Sequence, residues 1–369
     1  MLLITIPLIH LFNVSLTYVL IYNDISCRSN KYIFFNHHKK MFSVSPSAYI
    51  STSDEVPIEV HGLFRIHRDG RFERLAGLNT IDAGTDQLTK VQSKDVVISQ
   101  QTNLSARIYI PKSTTKNKKL PTLIYYHGGA FLTESSASTT YHPTLNLITA
   151  ESNVITVSVD FRLAPESPIP IPYEDSWEAI KWVAGHDKEK GPEPWLNDYA
   201  DLHNVFLGGD SSGANIAHNM AILVGLNTIN AINLRGVIML HPFFQGTEPI
   251  GPELGKDRDF KAGADLTWKL ASKGRVGLDD PMFNPAKDPR ISKFGCSRIL
   301  MCVAEKDKCL FRALNYKKVM EKSGWNGRFE MFESKGERHV FFLFNTSSEN
   351  ACALRKRIGA FINPILSKA

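Results

Sequence analysis

The pattern Gly-x-Ser-x-Gly at positions 209–213 constrains this chain more than any other feature of the sequence. The apolar run Val205–Leu207 before it predicts a buried strand, and the residues after it have the periodicity of an amphipathic helix. A serine on a sharp turn between strand and helix has strained backbone angles, so its neighbours two positions away must be very small. Gly209 and Gly213 meet that requirement. Ser211 is therefore a candidate nucleophile at a helix N-terminus, although a five-residue pattern also occurs by chance.

The composition is that of an ordinary globular protein. The chain has 369 residues, of which 43% are hydrophobic and 22% charged. Such a length fits one large α/β domain as well as two smaller domains. The formal charge is +6, but residues 1–40 hold four basic residues and one acidic residue, so the remainder carries only +3. Because there is no sustained basic run, we expect no nucleic-acid partner.

The cysteine pattern bears on the compartment. The five cysteines are odd in number and form no CxxC pair. This pattern suits a reducing compartment and favours neither a zinc site nor a disulfide framework. We expect a cytoplasmic protein.

The first 22 residues carry no charged side chain and are rich in Leu and Ile. A secretory signal would normally begin with positive charge, which is missing here. A membrane anchor needs about 20 apolar residues, and three polar residues interrupt this run. The third interpretation, which we favour, is an extended gene model with translation starting at Met41. We therefore expect residues 1–41 to lie outside the folded domain, with membrane contact only if residues 1–22 are retained as an anchor.

From Leu120 onward, short apolar runs alternate with segments of helical periodicity. Strands are predicted at Leu123–Tyr126, Val154–Val159, Val205–Leu207, Gly236–Leu240, Arg298–Val303 and Arg328–Phe332. Helices are predicted at Tyr141–Glu151, Asp175–Ala184, Leu314–Ser323 and from about Glu349 to Ile365, and the acidic start of the second suits the helix dipole. Before them, Val96–Ile98 and Leu104–Ile110 predict an antiparallel pair. The alternation is typical of an α/β protein whose mostly parallel sheet has helices on both faces.

Two segments depart from this alternation. Residues 42–91 are mixed and polar, and residues 244–292 are rich in Gly, Pro and Asp, with one helical piece near 265–273. Insertions over the carboxyl edge of a sheet often form lids. We therefore predict a single domain over 42–369, with cap elements from 42–91 and 244–292.

A serine nucleophile requires a base and an acid that orients the base. On a sheet of this kind, the expected chain order is serine, acid, histidine. The apolar run Ile299–Val303 leads directly into Glu305 and Asp307, and His339 follows the last predicted strand. We predict Ser211, Asp307 and His339 as the catalytic set. Two alternatives stay open: Glu305 as the acid, and Asp307 as a simple helix cap.

A second prediction concerns the stabilisation of negative charge on a substrate oxygen. Backbone N–H groups after an earlier strand, and the one just after the nucleophile, usually form an oxyanion hole. Gly128 and Gly129 stand at the first position, and Ser212 supplies the N–H at the second. The alternative for the two glycines is a turn that closes a strand. His127 lies on this side of the site, so we expect it to brace the loop rather than to act as the base.

Six short motifs stand in a characteristic order: His127–Phe131, Asp160–Glu166, Tyr173–Asp175, Gly209–Gly213, Glu305–Asp307 and His339–Phe341. Together they resemble the plant carboxylesterases, in the hormone-sensitive-lipase-like group of α/β-hydrolases. The resemblance runs from about Val60 to the C-terminus. It implies an α/β-hydrolase fold with an N-terminal cap, and the same triad and oxyanion residues. Ala130 departs from the pattern, since much of the wider group has a third glycine there, and we expect a narrower acyl pocket.

The resemblance leaves three functions to weigh. The first is a serine carboxylesterase, a monomer or homodimer that hydrolyses small esters and needs no metal or cofactor. The second is a lyase similar to the 2-hydroxyisoflavanone dehydratases, many of which carry threonine as the nucleophile, so that Ser211 is a mild argument against it. The third is a binding protein similar to gibberellin receptors, which lose the catalytic histidine. His339 argues against that receptor.

Overall fold

The computed structural model describes residues 58–60, 62–115, 118–227 and 229–363. The predictions for residues 1–41 and for the beginning of the first cap segment lie outside these ranges. Within them, no helix is long and apolar enough to cross a membrane.

Eleven strands lie in the described part of the chain. They are β1 (Ile58–Val60), β2 (Phe64–Ile66), β3 (Phe72–Arg74), β4 (Gln92–Ser99), β5 (Leu104–Ile110), β6 (Leu120–Tyr126), β7 (Ile155–Asp160), β8 (Ala200–Asp210), β9 (Leu234–Leu240), β10 (Arg298–Ala304) and β11 (Arg328–Ser334). Strands β4 to β11 form one sheet in the order β11-β10-β9-β8-β6-β7-β5-β4. Strand β5 runs antiparallel to the other seven strands of this sheet. Every neighbouring pair among β6 to β11 is parallel. The predicted antiparallel pair and the mostly parallel sheet are confirmed.

Eight α-helices accompany the strands in the described ranges. They are α1 (His142–Ser152), α2 (Ile171–Ala184), α3 (Pro194–Tyr199), α4 (Ser212–Leu226), α5 (Arg258–Ser272), α6 (Leu310–Lys322), α7 (Phe341–Phe344) and α8 (Glu349–Ile362). The predicted start of α2 is wrong by four residues. The helix begins before Pro172, which is tolerated in the first turn because the missing N–H has no helical partner there. Asp175 therefore lies inside the helix, where it pairs with Arg162 instead of with the helix dipole.

Two hydrophobic cores cover the two faces of the large sheet. Along β6, Ile124 and Tyr126 lie in one core, whereas Leu123 and Tyr125 lie in the other. This alternation follows from the period of two in a strand. Helices α2, α4, α5 and α6 contribute to the first core, and α1, α7 and α8 to the second. Helices on both faces are thus confirmed.

The two predicted cap segments contain structure that their composition indicated only in part. In the first, β1, β2 and β3 form a separate antiparallel sheet. These strands have three residues each and were not predicted, since so short a run carries little periodicity. In the second, α5 begins seven residues before the predicted helical piece. Its Trp268 stacks on Phe283 with ring centroids 4.1 Å apart, which ties the helix to the same segment.

Candidate active site

Ser211 lies at the sharp turn between β8 and α4. Its backbone has φ 52° and ψ −119°, outside the regions that a non-glycine residue prefers. The turn requires two glycines. A Cβ on Gly209 would lie 2.4 Å from the carbonyl of Gly213, and a Cβ on Gly213 would lie 2.0 Å from the carbonyl oxygen of Tyr126. Both distances are far below van der Waals contact, so the strand, turn and helix can meet only with glycine at these positions.

The structure brings Ser211, His339 and Asp307 into one hydrogen-bonded chain. The Oγ atom of Ser211 lies 3.0 Å from Nε2 of His339. The other ring nitrogen of His339, Nδ1, lies 2.8 Å from Oδ2 of Asp307. With a proton on Nδ1, the imidazole donates to the carboxylate and leaves Nε2 as an acceptor for the serine hydroxyl. This arrangement can remove a proton from Ser211.

Short loops after two neighbouring strands position the acid and the base. Asp307 follows β10, and its second carboxylate oxygen accepts from the Cys309 N–H at 2.8 Å. His339 follows β11, and the Lys306 N–H donates to the Glu337 carbonyl at 2.8 Å, which joins the two loops. Parallel strands end at the same edge of a sheet, so both side chains reach the carboxyl end of β8.

Glu305, the rival acid, makes a different contact. Its carboxylate accepts from the Gly336 N–H at 2.7 Å at the protein surface. Asp307, not Glu305, is the carboxylate bonded to His339. The Glu305 contact instead stabilises the turn that precedes the histidine loop.

The charges of the acid and the base shift each other's pKa. Burial alone would raise the pKa of Asp307, but the charge and the hydrogen bond of His339 lower it well below its usual range. Burial alone would lower the pKa of His339, but the charge and hydrogen bond of Asp307 outweigh it and raise the pKa. The pair therefore favours a carboxylate beside an imidazole that readily accepts a proton.

The predicted oxyanion loop follows β6 and lies against the turn at Ser211. The N–H of Phe131 donates to Oγ of Ser212 at 3.3 Å, which fixes the loop beside the first turn of α4. The prediction that the Gly128 N–H faces a substrate oxygen is wrong, because it donates to the phenol oxygen of Tyr141 at 2.7 Å. In the described part of the chain, the N–H groups of Gly129, Ala130 and Ser212 have no hydrogen-bond acceptor. Ala130 adopts a left-handed backbone, with φ 61°.

His127 packs under the oxyanion loop and fixes it by a hydrogen bond to Gly128. Its ring is fully buried, stacks on Phe161 at 4.3 Å, and donates from Nδ1 to the Gly128 carbonyl at 2.8 Å. Burial lowers its pKa, so the ring is neutral at physiological pH. These contacts agree with a bracing role for His127.

Asp210 was not singled out in the sequence, although it lies within the serine motif. Its side chain is buried, and its two oxygens accept from the phenols of Tyr125 and Tyr141, each at 2.8 Å. Burial raises its pKa to about 6, although the two phenols oppose that shift. Because Tyr141 also accepts from Gly128, Asp210 is linked to the oxyanion loop through one hydroxyl group.

His241 is a second histidine that the sequence analysis missed. It directly follows β9, its side chain is fully buried, and its Nδ1 lies 3.3 Å from Oδ2 of Asp307. The same nitrogen accepts from the Val340 N–H at 2.9 Å. One signal was available: like Ser211, Asp307 and His339, it stands just after a parallel strand.

Comparisons with known proteins agree with this architecture. Residues 123–343 match a family model described as the alpha/beta hydrolase fold. Probable carboxylesterase 2 of Arabidopsis thaliana is 42% identical over 85% of this chain and 99% of its own length. The 2-hydroxyisoflavanone dehydratase of Glycine max is 39% identical over 84% of this chain and 99% of its own length.

Solved structures show the same fold. The hyperthermophilic esterase from the archaeon Pyrobaculum calidifontis matches with a TM-score of 0.60 and 24% sequence identity, over 74% of this chain and 86% of that one. The strand order, the glycine-flanked serine turn and the extent of these similarities lead to one conclusion: the chain belongs to the α/β-hydrolase family.

Proposed function

We propose that this protein is a serine carboxylesterase that hydrolyses small carboxylic esters through an acyl-enzyme on Ser211. The observation that carries the proposal is the hydrogen-bonded chain from Ser211 through His339 to Asp307, with distances of 3.0 Å and 2.8 Å. The similarity to relatives named carboxylesterase extends over nearly their whole length, which supports the same chemistry in this chain.

In the first half of the reaction, Nε2 of His339 takes the proton of Ser211 as Oγ attacks the ester carbonyl. Asp307 then stabilises the imidazolium, and His339 passes the proton to the departing alcohol. In the second half, His339 takes a proton from a water molecule as the water oxygen attacks the acyl group, and it returns that proton to Oγ of Ser211 as the acid is released. All of these proton transfers use one imidazole.

We assign the oxyanion hole to the N–H groups of Gly129, Ala130 and Ser212. Gly128 is replaced by Ala130 in this set, because the Gly128 N–H already donates to Tyr141. Ser212 opens α4, so its N–H is directed out of the helix, where the dipole favours negative charge. Preorganised donors of this kind are each worth about 10²–10³ in rate.

The two cap segments are proposed to cover this site. Arg74 at the end of β3 donates to the carbonyls of Leu132 and Ala164, close to the oxyanion loop. The second segment is held by a buried ion pair between Glu253 and Arg312 of α6, the helix after Asp307. We expect the cap segments to shape the acyl pocket, so Arg74→Ala should change the preferred acyl length in a panel of p-nitrophenyl esters. An unchanged preference would argue against a cap over the site.

The test of the proposed function is hydrolysis of p-nitrophenyl acetate and butyrate by the wild type and by Ser211→Ala. We expect the variant to lose on the order of 10⁴-fold or more in kcat, with its fold intact by circular dichroism. Equal rates for the two proteins would refute the proposal.

A second candidate function has one observation in its favour, the similarity to 2-hydroxyisoflavanone dehydratases at 39% and 37% identity. On the same site, the oxyanion hole would stabilise an enolate while His339 moves the proton. This function predicts conversion of a 2-hydroxyisoflavanone with weak ester hydrolysis. Strong ester hydrolysis without dehydration would exclude it.

A cytoplasmic location is part of the proposal. It is supported by Cys296, Cys302, Cys309 and Cys352, the cysteines of the described ranges, which are all free and buried. A fluorescent protein fused to the C-terminus of the full chain should give diffuse cytoplasmic signal. Accumulation in the secretory pathway would contradict it.

A further inference from the structure

His241 contacts both the acid and the base of the proposed triad, and no step of the proposed mechanism uses it. We propose that His241 is a positioning residue, which holds the loop of His339 in the geometry that ester hydrolysis requires. The inference rests on the proposed function, and it adds a fourth side chain to the three of the proposed triad.

The first contact fixes the loop of the base. Nδ1 of His241 accepts from the N–H of Val340, the residue directly after His339, at 2.9 Å. Val340 has φ 47°, in the left-handed region, where a β-branched side chain is strained. A strained residue keeps its conformation only where its surroundings determine it. The bond from Val340 to His241 provides such a restraint one residue from the catalytic imidazole.

The second contact concerns the acid. Nδ1 of His241 also lies 3.3 Å from Oδ2 of Asp307, the oxygen that accepts from His339. In its neutral form the ring either accepts from Val340 or donates to Asp307 through this nitrogen, and cannot do both. The shorter distance to Val340 favours the tautomer with the proton on Nε2. The bond from Val340, rather than a bond to Asp307, therefore carries the proposal.

The surroundings keep the ring neutral. It is packed against Phe341 and Phe342, with ring centroids 5.8 and 5.6 Å away, and against His339 at 5.8 Å. Burial lowers the pKa of His241, and the positive charge of His339 acts in the same direction; Asp307 and Glu337 oppose them. A neutral ring avoids repulsion of the imidazolium that forms on His339 during the reaction.

One atom shows that His241 is not explained by packing alone. Nε2 is fully buried and has no hydrogen-bond partner among the described residues. An unpaired buried polar atom is unfavourable, and a leucine would fill much of the same space without it. The bond from the Val340 N–H to Nδ1 accounts for a histidine at this position.

The test compares His241→Leu with His241→Asn. The Oδ1 atom of asparagine can occupy the place of Nδ1 and accept from Val340, whereas leucine cannot. With p-nitrophenyl acetate, we expect His241→Leu to lower kcat about 10–100-fold with little change in KM, and His241→Asn to recover most of that loss. We also expect the acid limb of kcat/KM for His241→Leu to move to lower pH. A displaced loop weakens the interaction of His339 with Asp307, and the pKa of His339 then falls.

A purely structural role gives a different pattern. Both variants would then lose activity in step with thermal stability, asparagine would not restore it, and the acid limb would stay in place; this result, or a wild-type kcat in His241→Leu, would overturn the proposal.

A second measurement does not depend on turnover. The proton on Nδ1 of His339 that is bonded to Asp307 should give a far-downfield proton NMR signal in the wild type and in His241→Asn, and a lost or shifted signal in His241→Leu. An unchanged signal in His241→Leu would overturn the proposal even if the wild type hydrolyses no ester. Absence of Ser211-dependent hydrolysis with the expected NMR pattern would instead refute only the proposed function.

Discussion

Asp307 and Asp210 are two buried carboxylates close to Ser211, and their pKa values move in opposite directions. Asp307 is 6% exposed and Asp210 is 1% exposed, so burial acts on both to raise the pKa. Asp307 faces His339, whose charge and hydrogen bond lower its pKa well below the usual range. Asp210 faces two phenols, and its pKa stays raised at about 6. The partners, rather than the degree of burial, decide the direction in which each pKa moves.

The difference fits two tasks within one site. A permanent charge beside His339 favours the imidazolium that forms as Ser211 attacks. A carboxylate that accepts from two phenols fixes the oxyanion loop through Tyr141 and Gly128, and this needs hydrogen-bond acceptors more than it needs charge. Substitutions that remove the charge of an aspartate but keep its shape should therefore affect activity much more at Asp307 than at Asp210.

The largest effect is expected for Asp307→Asn. The amide keeps the shape of the carboxylate but neither charges the site nor holds His339 in the required tautomer. We expect kcat for p-nitrophenyl acetate to fall about 10⁴-fold, as is typical when this carboxylate is lost from a serine hydrolase. Steady-state kinetics at pH 8 would measure it, and a loss below tenfold in a folded variant would contradict the role of Asp307.

The next effect is expected for Tyr141→Phe. Its hydroxyl accepts from Gly128 and donates to Asp210, so its removal leaves two buried groups each short of one hydrogen bond. We expect kcat to fall about tenfold and the free energy of unfolding to fall by about 1–3 kcal/mol. Tyr125→Phe is the matched control, because it removes a bond to Asp210 but none to the loop. Equal losses of kcat in the two variants would show that the link to Gly128 is unimportant.

A smaller effect on activity, with a characteristic pH dependence of stability, is expected for Asp210→Asn. The folded-state pKa of about 6 lies above the usual value of 3.8. The contribution of the protonated Asp210 to wild-type stability is therefore lost as the pH rises through about 6. The amide does not ionise, and relative to wild type the variant should gain up to about 3 kcal/mol between pH 4 and pH 7. Chemical denaturation at several pH values would measure this gain. A constant difference between the two proteins would contradict the raised pKa.

Activity of the same variant is expected to stay within about tenfold of wild type at pH 8, because asparagine can still accept from one phenol. The negative charge of Asp210 contributes to the raised pKa of His339. The acid limb of kcat/KM should therefore move to lower pH in Asp210→Asn. A shift to higher pH would contradict this contribution.

The smallest effect is expected for Glu305→Gln, which serves as the control for both aspartates. Glu305 lies two residues before Asp307, but it is exposed, and among the described residues its carboxylate accepts only from the Gly336 N–H. We expect kcat to stay within about twofold and stability within about 0.5 kcal/mol. A loss comparable to that of Asp307→Asn would make Glu305 the acid.

The parts of the molecule that the sequence predicted correctly depend on local patterns. The strands from β6 to β11 are apolar runs bounded by turns, and their alternation with helices determines the mostly parallel sheet. The order of Ser211, Asp307 and His339 was visible because each follows a parallel strand, and such strands end at one edge. The glycines around Ser211 were readable for the same local reason, since the turn itself excludes a Cβ.

The parts that were missed depend on contacts between distant residues. Tyr141 engages Gly128 only because α1 packs beside the end of β6, which no spacing in the sequence indicates. The pairing of Asp210 with Tyr125 and Tyr141 joins positions 85 and 69 residues apart. His241 had a readable signal in its place after β9, but a histidine after a strand has many alternatives without the contact to Val340. The three short strands β1 to β3 give too few residues for a pattern.

The most direct test of the central claim is to trap the acyl group on Ser211. The protein would be mixed with p-nitrophenyl acetate, quenched with acid within the first turnovers, digested and analysed by mass spectrometry. We predict one acetyl group on the peptide that contains Ser211 in the wild type and none in Ser211→Ala. Turnover with the acetyl group on another residue, or with Ser211 unmodified throughout, would contradict the account.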